Sequence, residues 1–168
     1  MAIVNSAAAG LRAASRATIL QLRAPGLSAR ALEREATELV AKSAVPVVVS
    51  SRCDVALVSG AAGVNLPERD VTVAAARALL GSRLIGRSVH SLEGAVHAQE
   101  QGADYVIFGP VWSSPSHTES PPAGIDALAA VAAALRIPVI AIGGVTAERI
   151  EACHAAGAAG YAAIRFFE

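Results

Sequence analysis

The sequence predicts an α/β fold with a parallel sheet, on three observations. Short β-branched runs recur along the whole chain, and Ala-rich amphipathic stretches separate them. Strand alternating with helix in this way gives a parallel sheet. The paired glycines that follow a strand come late, at Gly143-Gly144, whereas a doubly wound sheet needs its glycine fingerprint after the first strand. Late phosphate loops belong to the (β/α)8 TIM-barrel type, so that barrel is the expected fold, as a single domain over residues 1–168.

Taken in order, the chain opens with a helical stretch at 5–15. The first strand follows as "TILQLR" (18–23), then a helix at 28–42 and the strand "VPVVVS" (45–50). A weaker helical signal at 54–59 precedes "GVNL" (63–66). A helix at 71–80 leads to "RLIGRS" (83–88), and one at 91–101 leads to "DYVIFG" (104–109). Helices at 124–135 and 146–156 precede "IPVIAIGG" (137–144, after the first of them) and "GYAAIR" (160–165). The strands are almost continuously apolar, as strands buried on both faces must be. Ser28, Ser91 and Thr146 stand at cap positions, and Gly81, Gly102 and Gly157 stand where helices stop. Only seven strands emerge. The reading is a barrel lacking its first strand and its last helix, and the open edges this leaves would invite pairing into a homo-oligomer.

Composition excludes several classes. Lys+Arg and Asp+Glu both number 14, so no electrostatic footprint favours nucleic acid. Three Phe, two Tyr and one Trp give no base-stacking surface. No apolar run has the length of a membrane span, about 20 residues. Cys53 and Cys153 form no CxxC and are read as incidental thiols of a reducing cytoplasm. A cytoplasmic protein without nucleic-acid or membrane partners is the expectation.

In a (β/α)8 barrel the chemistry sits at the carboxyl ends of the strands. Those ends carry Gln21 and Arg23, Ser50-Ser51-Arg52, Asn65 to Asp70, Ser88 and His90, the loop 109–117, Gly143-Gly144 and Ile164-Arg165. His90 is the histidine in this wall; His97, His117 and His154 fall on a helix, in a loop and on a helix. An imidazole there can transfer protons near neutral pH, or can be a polar residue at a strand end. Gly143-Gly144 can admit a phosphate to backbone N–H groups, with a helix N-terminus behind them, or can serve a tight turn. The loop 109–124 is rich in Pro and Ser, and is either a substrate cover or a solvated loop.

Taken together, "QLR", "GVNLPERD", "GRSVHSLEGA", "GADYVIFGPVW", "PVIAIGGVT" and "GAAGYAAIR" resemble, in order, the superfamily of thiamin-phosphate synthase and the thiazole tautomerase TenI. The resemblance covers nearly the whole chain. It implies a (β/α)8 barrel holding a thiazole phosphate at its carboxyl face. The synthase branch couples a pyrimidine pyrophosphate to that thiazole with Mg²⁺. It carries Asn-Asp where this chain has Ser50-Ser51, and a lysine where Ala24-Pro25-Gly26 stands. Its Thr-Pro-Thr-Lys loop is Ser114-Pro115-Ser116-His117 here, and Asp70 alone matches a metal-ligating carboxylate.

These departures put the tautomerase first, with no cofactor and no metal. His90 of "SVHSLEGA" would carry the proton. Arg23 would pair with the substrate carboxylate. Gly143, Gly144 and the backbone near Ala163 would hold the phosphate, and Gln21, Ser88 and Ser114 would line the wall. The alternatives are the synthase itself, or a non-catalytic thiazole-phosphate-binding protein.

Overall fold

Eight parallel strands form one sheet in sequential order, β1 to β8, in the computed structural model, which describes residues 1–113 and 121–167. The seven expected strands are present as β2 (Leu20–Leu22), β3 (Val47–Ser50), β4 (Gly63–Leu66), β5 (Leu84–Val89), β6 (Tyr105–Phe108), β7 (Val139–Ile142) and β8 (Gly160–Ala162). The first strand is present too, which corrects the expectation of an open barrel. It is β1, Ala2–Val4, paired with β2 in the register Ile3 to Gln21.

β1 also meets β8. The Met1 amino group donates to the Tyr161 carbonyl at 2.7 Å, Ile3 N–H to Ala163 at 3.0 Å and Ala163 N–H to Met1 at 3.2 Å. This closure removes the two strand edges on which a completing oligomer was expected. After β8 the described chain makes only a 3₁₀ turn, Arg165–Phe167.

Apolar residues fill both faces of the sheet. Inside the barrel Met1, Ile3, Val48, Tyr105, Ile107 and Ala162 pack together. Outside, Leu20, Leu22, Val49, Val64, Ile85 and Phe108 are sealed under the helices. These are α1 (Ala7–Ala13), α2 (Ala29–Lys42), α3 (Cys53–Ser59), α4 (Val73–Leu80), α5 (Leu92–Glu100), α6 (Ile125–Ala134) and α7 (Ile150–Ala155). The interior is tight enough that Tyr105 lies over a glycine: a Cβ on Gly86 would stand 2.1 Å from Tyr105 Cζ.

Side-chain caps start α1, α2, α4 and α5 at Ser6, Ser28, Thr72 and Ser91. Thr146 makes no such cap. The helix expected at 146–156 is a 3₁₀ turn, Ala147–Arg149, followed by the six-residue α7.

The amino-terminal face is stapled by Arg77 of α4. Its guanidinium donates to the carbonyls of Gly81 (2.8 Å), Arg83 (2.6 Å) and Gly102 (3.1 Å), and to Asp104 Oδ2 at 2.7 Å. Asp104 in turn accepts from Ile85 N–H at 2.7 Å. Two partly buried acceptors, the Arg83 carbonyl and Asp104 Oδ2, and two exposed ones therefore depend on one side chain. Arg77→Ala should cost about 2 kcal/mol and lower Tm by roughly 4–8 °C. Thermal denaturation checks this; an unchanged Tm would mean that water replaces the staple fully.

Candidate active site

The carboxyl ends of the strands form a polar mouth above the apolar interior. The sheet register runs Ile3, Gln21, Val48 and Gly63 across β1 to β4, and Ser50, Asn65, Gly86 and Tyr105 across β3 to β6. Gln21 is 3% exposed and Asn65 is 2% exposed, values at which a polar atom needs a partner. Asn65 Nδ2 donates to Ser88 Oγ at 3.0 Å, so these two wall residues are joined. Gln21 Oε1, Asn65 Oδ1 and the Tyr105 hydroxyl have no partner among the described residues. Burial also pushes the Tyr105 phenol above its ordinary range, which keeps it neutral. Tyr105 begins β6 and packs in the apolar interior, whereas Gln21 and Asn65 lie within β2 and β4, where a buried polar atom without a protein partner can serve a ligand.

β3 ends in a strained turn. Arg52 N–H donates to the Ser50 carbonyl at 2.8 Å, and Ser51 between them has φ +70°, a rare conformation for a residue with a side chain. The turn delivers the Ser51 hydroxyl to Asp70 Oδ2, while Asp70 Oδ1 accepts Val71 N–H at 2.7 Å. Arg87 fixes the same loop, donating to the carbonyls of Val71 (2.7 Å) and Glu68 (2.8 Å).

Mg²⁺ binding requires carboxylate oxygens facing an open position. Both Asp70 oxygens are engaged within the protein. No group of three His, Cys, Asp or Glu side chains able to hold a metal occurs among the described residues. Asp70 would be the side chain at this turn to hold a Mg²⁺ shared with substrate phosphates, and each of its oxygens already accepts one hydrogen bond.

His90 stands one residue beyond β5, in the wall, but half in solvent at 48% side-chain exposure. Its Nδ1 lies 2.9 Å from Glu68 Oε2, and its N–H donates to Glu68 Oε1 at 3.2 Å. The next residue, Ser91, caps α5 by accepting from Gly94 N–H at 3.0 Å. "SVHSLEGA" thus encodes a strand end and a helix start, and carries no specific chemistry by itself.

At β7, Gly143 and Gly144 have φ of +92° and +66°. A Cβ on Gly143 would stand 2.5 Å from Pro110 Cβ, and one on Gly144 would stand 2.7 Å from the Ser113 carbonyl oxygen. The pair is needed for the turn and for close passage of residues 110–113. Those residues hydrogen-bond across β7, Val111 N–H to Ile142 and Trp112 N–H to Gly143. Arg149 donates to the Gly144 carbonyl at 2.7 Å and lies 5.0 Å from the Trp112 ring centroid, which locks the turn.

The amides of Gly143, Gly144 and Val145 donate to no protein acceptor among the described residues. The six-residue α7 behind them adds little dipole, contrary to the sequence reading. The Ala163 N–H itself donates to the Met1 carbonyl, so a phosphate held by the backbone near Ala163 would need another amide. Ser114 lies outside the described residues.

Arg23 follows β2, with its own N–H donating to the Val4 carbonyl at 2.8 Å. Its side chain lines a cavity of about 360 Å³ between β1, β8 and α1. Sequence reasoning placed the stretch Asn65 to Asp70 at a strand end without giving Asn65 or Glu68 a role, and passed over Tyr105 and Arg149. Only the period-2 inward phase of β4 and β6 could have marked Asn65 and Tyr105.

A closed parallel barrel with a polar mouth at its carboxyl face has the architecture of barrel enzymes, whose active sites lie there. The chain belongs to the thiamine monophosphate synthase (TMP-TENI) family, whose model matches residues 2–167. It is 39% identical over 161 residues to the thiamine-phosphate synthase of Methanoculleus marisnigri, covering 93% of this chain and 76% of that one. It is 40% identical over 153 residues to that of Chlorobium luteolum, covering 88% and 72%. Among solved structures, thiamine phosphate pyrophosphorylase from Pyrococcus furiosus superposes with a TM-score of 0.88 at 27% identity, covering 97% and 84%.

These likenesses overturn the tautomerase expectation. The relatives are named thiamine-phosphate synthases, and the motif that favoured an isomerase is the strand-to-helix turn described above. No helix among the described residues is long and apolar enough to cross a membrane.

Proposed function

We propose that this chain is a transferase of the thiamine-phosphate synthase type, joining a pyrimidine pyrophosphate to a thiazole phosphate. The observation that carries the reading is the pair of buried polar atoms without partners, Gln21 Oε1 and Asn65 Oδ1, inside a barrel of this family. A heterocycle with polar edges would satisfy them. The amides of Gly143 to Val145 suit the phosphate ester, where backbone donors meet an oxyanion without a lysine.

In this coupling the bond from the pyrimidine methylene carbon to the pyrophosphate oxygen breaks, and its electron pair leaves with pyrophosphate. The thiazole nitrogen lone pair forms the new C–N bond. The bond change moves no proton, so it asks no general base of His90. Its role is to hold the 67–72 loop through Glu68.

The test is formation of thiamine phosphate from the two substrates, detected by oxidation to fluorescent thiochrome. The reading expects product that depends on both substrates and on enzyme concentration. Absence of product at saturating concentrations of both would overturn it.

A further inference from the structure

Three successive peptide planes make the turn after β7, and a donor holds the carbonyl of each. The Ile142 carbonyl accepts from Val111 N–H at 2.8 Å, and the Gly143 carbonyl from Trp112 N–H at 3.0 Å. The Gly144 carbonyl accepts from the Arg149 guanidinium at 2.7 Å. In a trans peptide the N–H points opposite to the C=O of the same plane. Holding these carbonyls therefore fixes the directions of the Gly143, Gly144 and Val145 N–H groups, which donate to no protein acceptor among the described residues. The first two holders are backbone amides. The third is a side chain, so one substitution can release its plane.

Arg149 is set in place from two sides. Its own N–H donates to the Thr146 carbonyl at 3.0 Å, closing the 3₁₀ turn that carries its side chain back to Gly144. Its guanidinium lies 5.0 Å from the centroid of the Trp112 ring. Trp112 is itself packed on the turn, since a Cβ on Gly144 would stand 2.7 Å from Trp112 Cβ. Arg149 forms no ion pair among the described residues, so no carboxylate competes for it.

We propose that Arg149 is a positioning residue for the phosphate ester of the thiazole: it holds the 144–145 peptide so that Val145 N–H, with the amides of Gly143 and Gly144, is presented to the anion. This rests on the proposed transferase reading and extends it. Arg149 acts through the peptide, without touching the substrate. In its absence the plane can turn about Gly144, which has no Cβ to restrain it, and set a carbonyl oxygen against the phosphate. The ester takes no part in the bond change, so its contacts act on ground state and transition state alike.

Isothermal titration of the whole chain with the thiazole phosphate, and with the same thiazole lacking its phosphate, tests this. Arg149→Met should weaken the ester about ten- to hundredfold, the range of a hydrogen bond from a charged group, and leave the dephosphorylated ligand unchanged. Arg149→Lys should recover part of the loss, since it keeps a charged donor without the planar fork. The ratio of wild-type to Arg149→Met affinity should persist at about 1 M salt, where charges are screened beyond roughly 3 Å. Emission from Trp112, the chain's one tryptophan, should change in ligand-free Arg149→Met. Arg136→Gln, before the other end of β7, should bind both ligands as wild type does.

In the coupling assay, Arg149→Met should raise KM for the thiazole phosphate and leave kcat and the KM for the pyrimidine pyrophosphate unchanged. Wild-type affinity for the ester in Arg149→Met, or no binding of it by wild type, would overturn the proposal. Equal loss of both ligands would make Arg149 a structural residue, and a loss that vanishes in salt would make it a charge alone; either overturns it, as does unaltered Trp112 emission. Product formed by Arg149→Met with an unchanged KM for the thiazole phosphate would sink this proposal alone. Absence of product from wild type, with the selective loss of ester binding intact in Arg149→Met, would sink the transferase reading and leave the positioned turn standing.

Discussion

Gly63→Ala should destabilise the barrel by about 3 kcal/mol or more and lower Tm by roughly 6–12 °C. The added methyl would stand 1.8 Å from the Leu84 carbonyl oxygen and 2.8 Å from Leu84 Cα. Both atoms belong to the neighbouring strand, and backbone cannot rotate away as a side chain does. Gly63 begins β4 and pairs with Val48 and Leu84, so relief would have to move β4 and β5 apart. Gly26→Ala is the control, because nothing lies within 4 Å of its Cβ position. Thermal unfolding of both variants decides the matter. A Gly63→Ala protein melting with wild type would show that the β4–β5 spacing relaxes freely.

Gln21→Met should separate stability from function. Methionine keeps the length of the side chain and removes the buried Oε1 that accepts nothing from the protein. Losing an orphaned acceptor is worth about 1–2 kcal/mol, so Tm should rise by roughly 2–8 °C. The same change deletes a polar contact reserved for the ligand, and the specificity constant for thiamine phosphate formation should fall about ten- to hundredfold. Opposite movement of Tm and kcat/KM is the signature of a site kept polar at the expense of stability. Equal loss of both would make Gln21 a structural residue, and an unchanged kcat/KM would remove it from the site.

The barrel was legible because its strands are apolar on both faces and its helices are Ala-rich, two periods that do not imitate each other. β1 escaped because Ala2–Val4 is three residues long and runs almost directly into the Ser6-capped α1, which leaves no turn to announce it. Its partners are what define it: β2 on one side and the bonds to Tyr161 and Ala163 on the other. The same strand takes the Ala163 N–H through the Met1 carbonyl.

Strand position put Gln21 and Ser88 within β2 and β5 and Arg23 just after β2, as the structure has them. Chemistry was harder to read. The motif around His90 combines a strand end, a cap and a first-turn acid, Glu93, and such a pattern recurs for purely helical reasons.

The most direct measurement is a rapid-quench experiment with enzyme in excess, quantifying thiamine phosphate and pyrophosphate together from the pyrimidine pyrophosphate and the thiazole phosphate. The account predicts that both products rise at one rate and in equal amounts, with neither forming when either substrate is withheld. Recovery of both substrates unchanged, or pyrophosphate release without the coupled product, would contradict it.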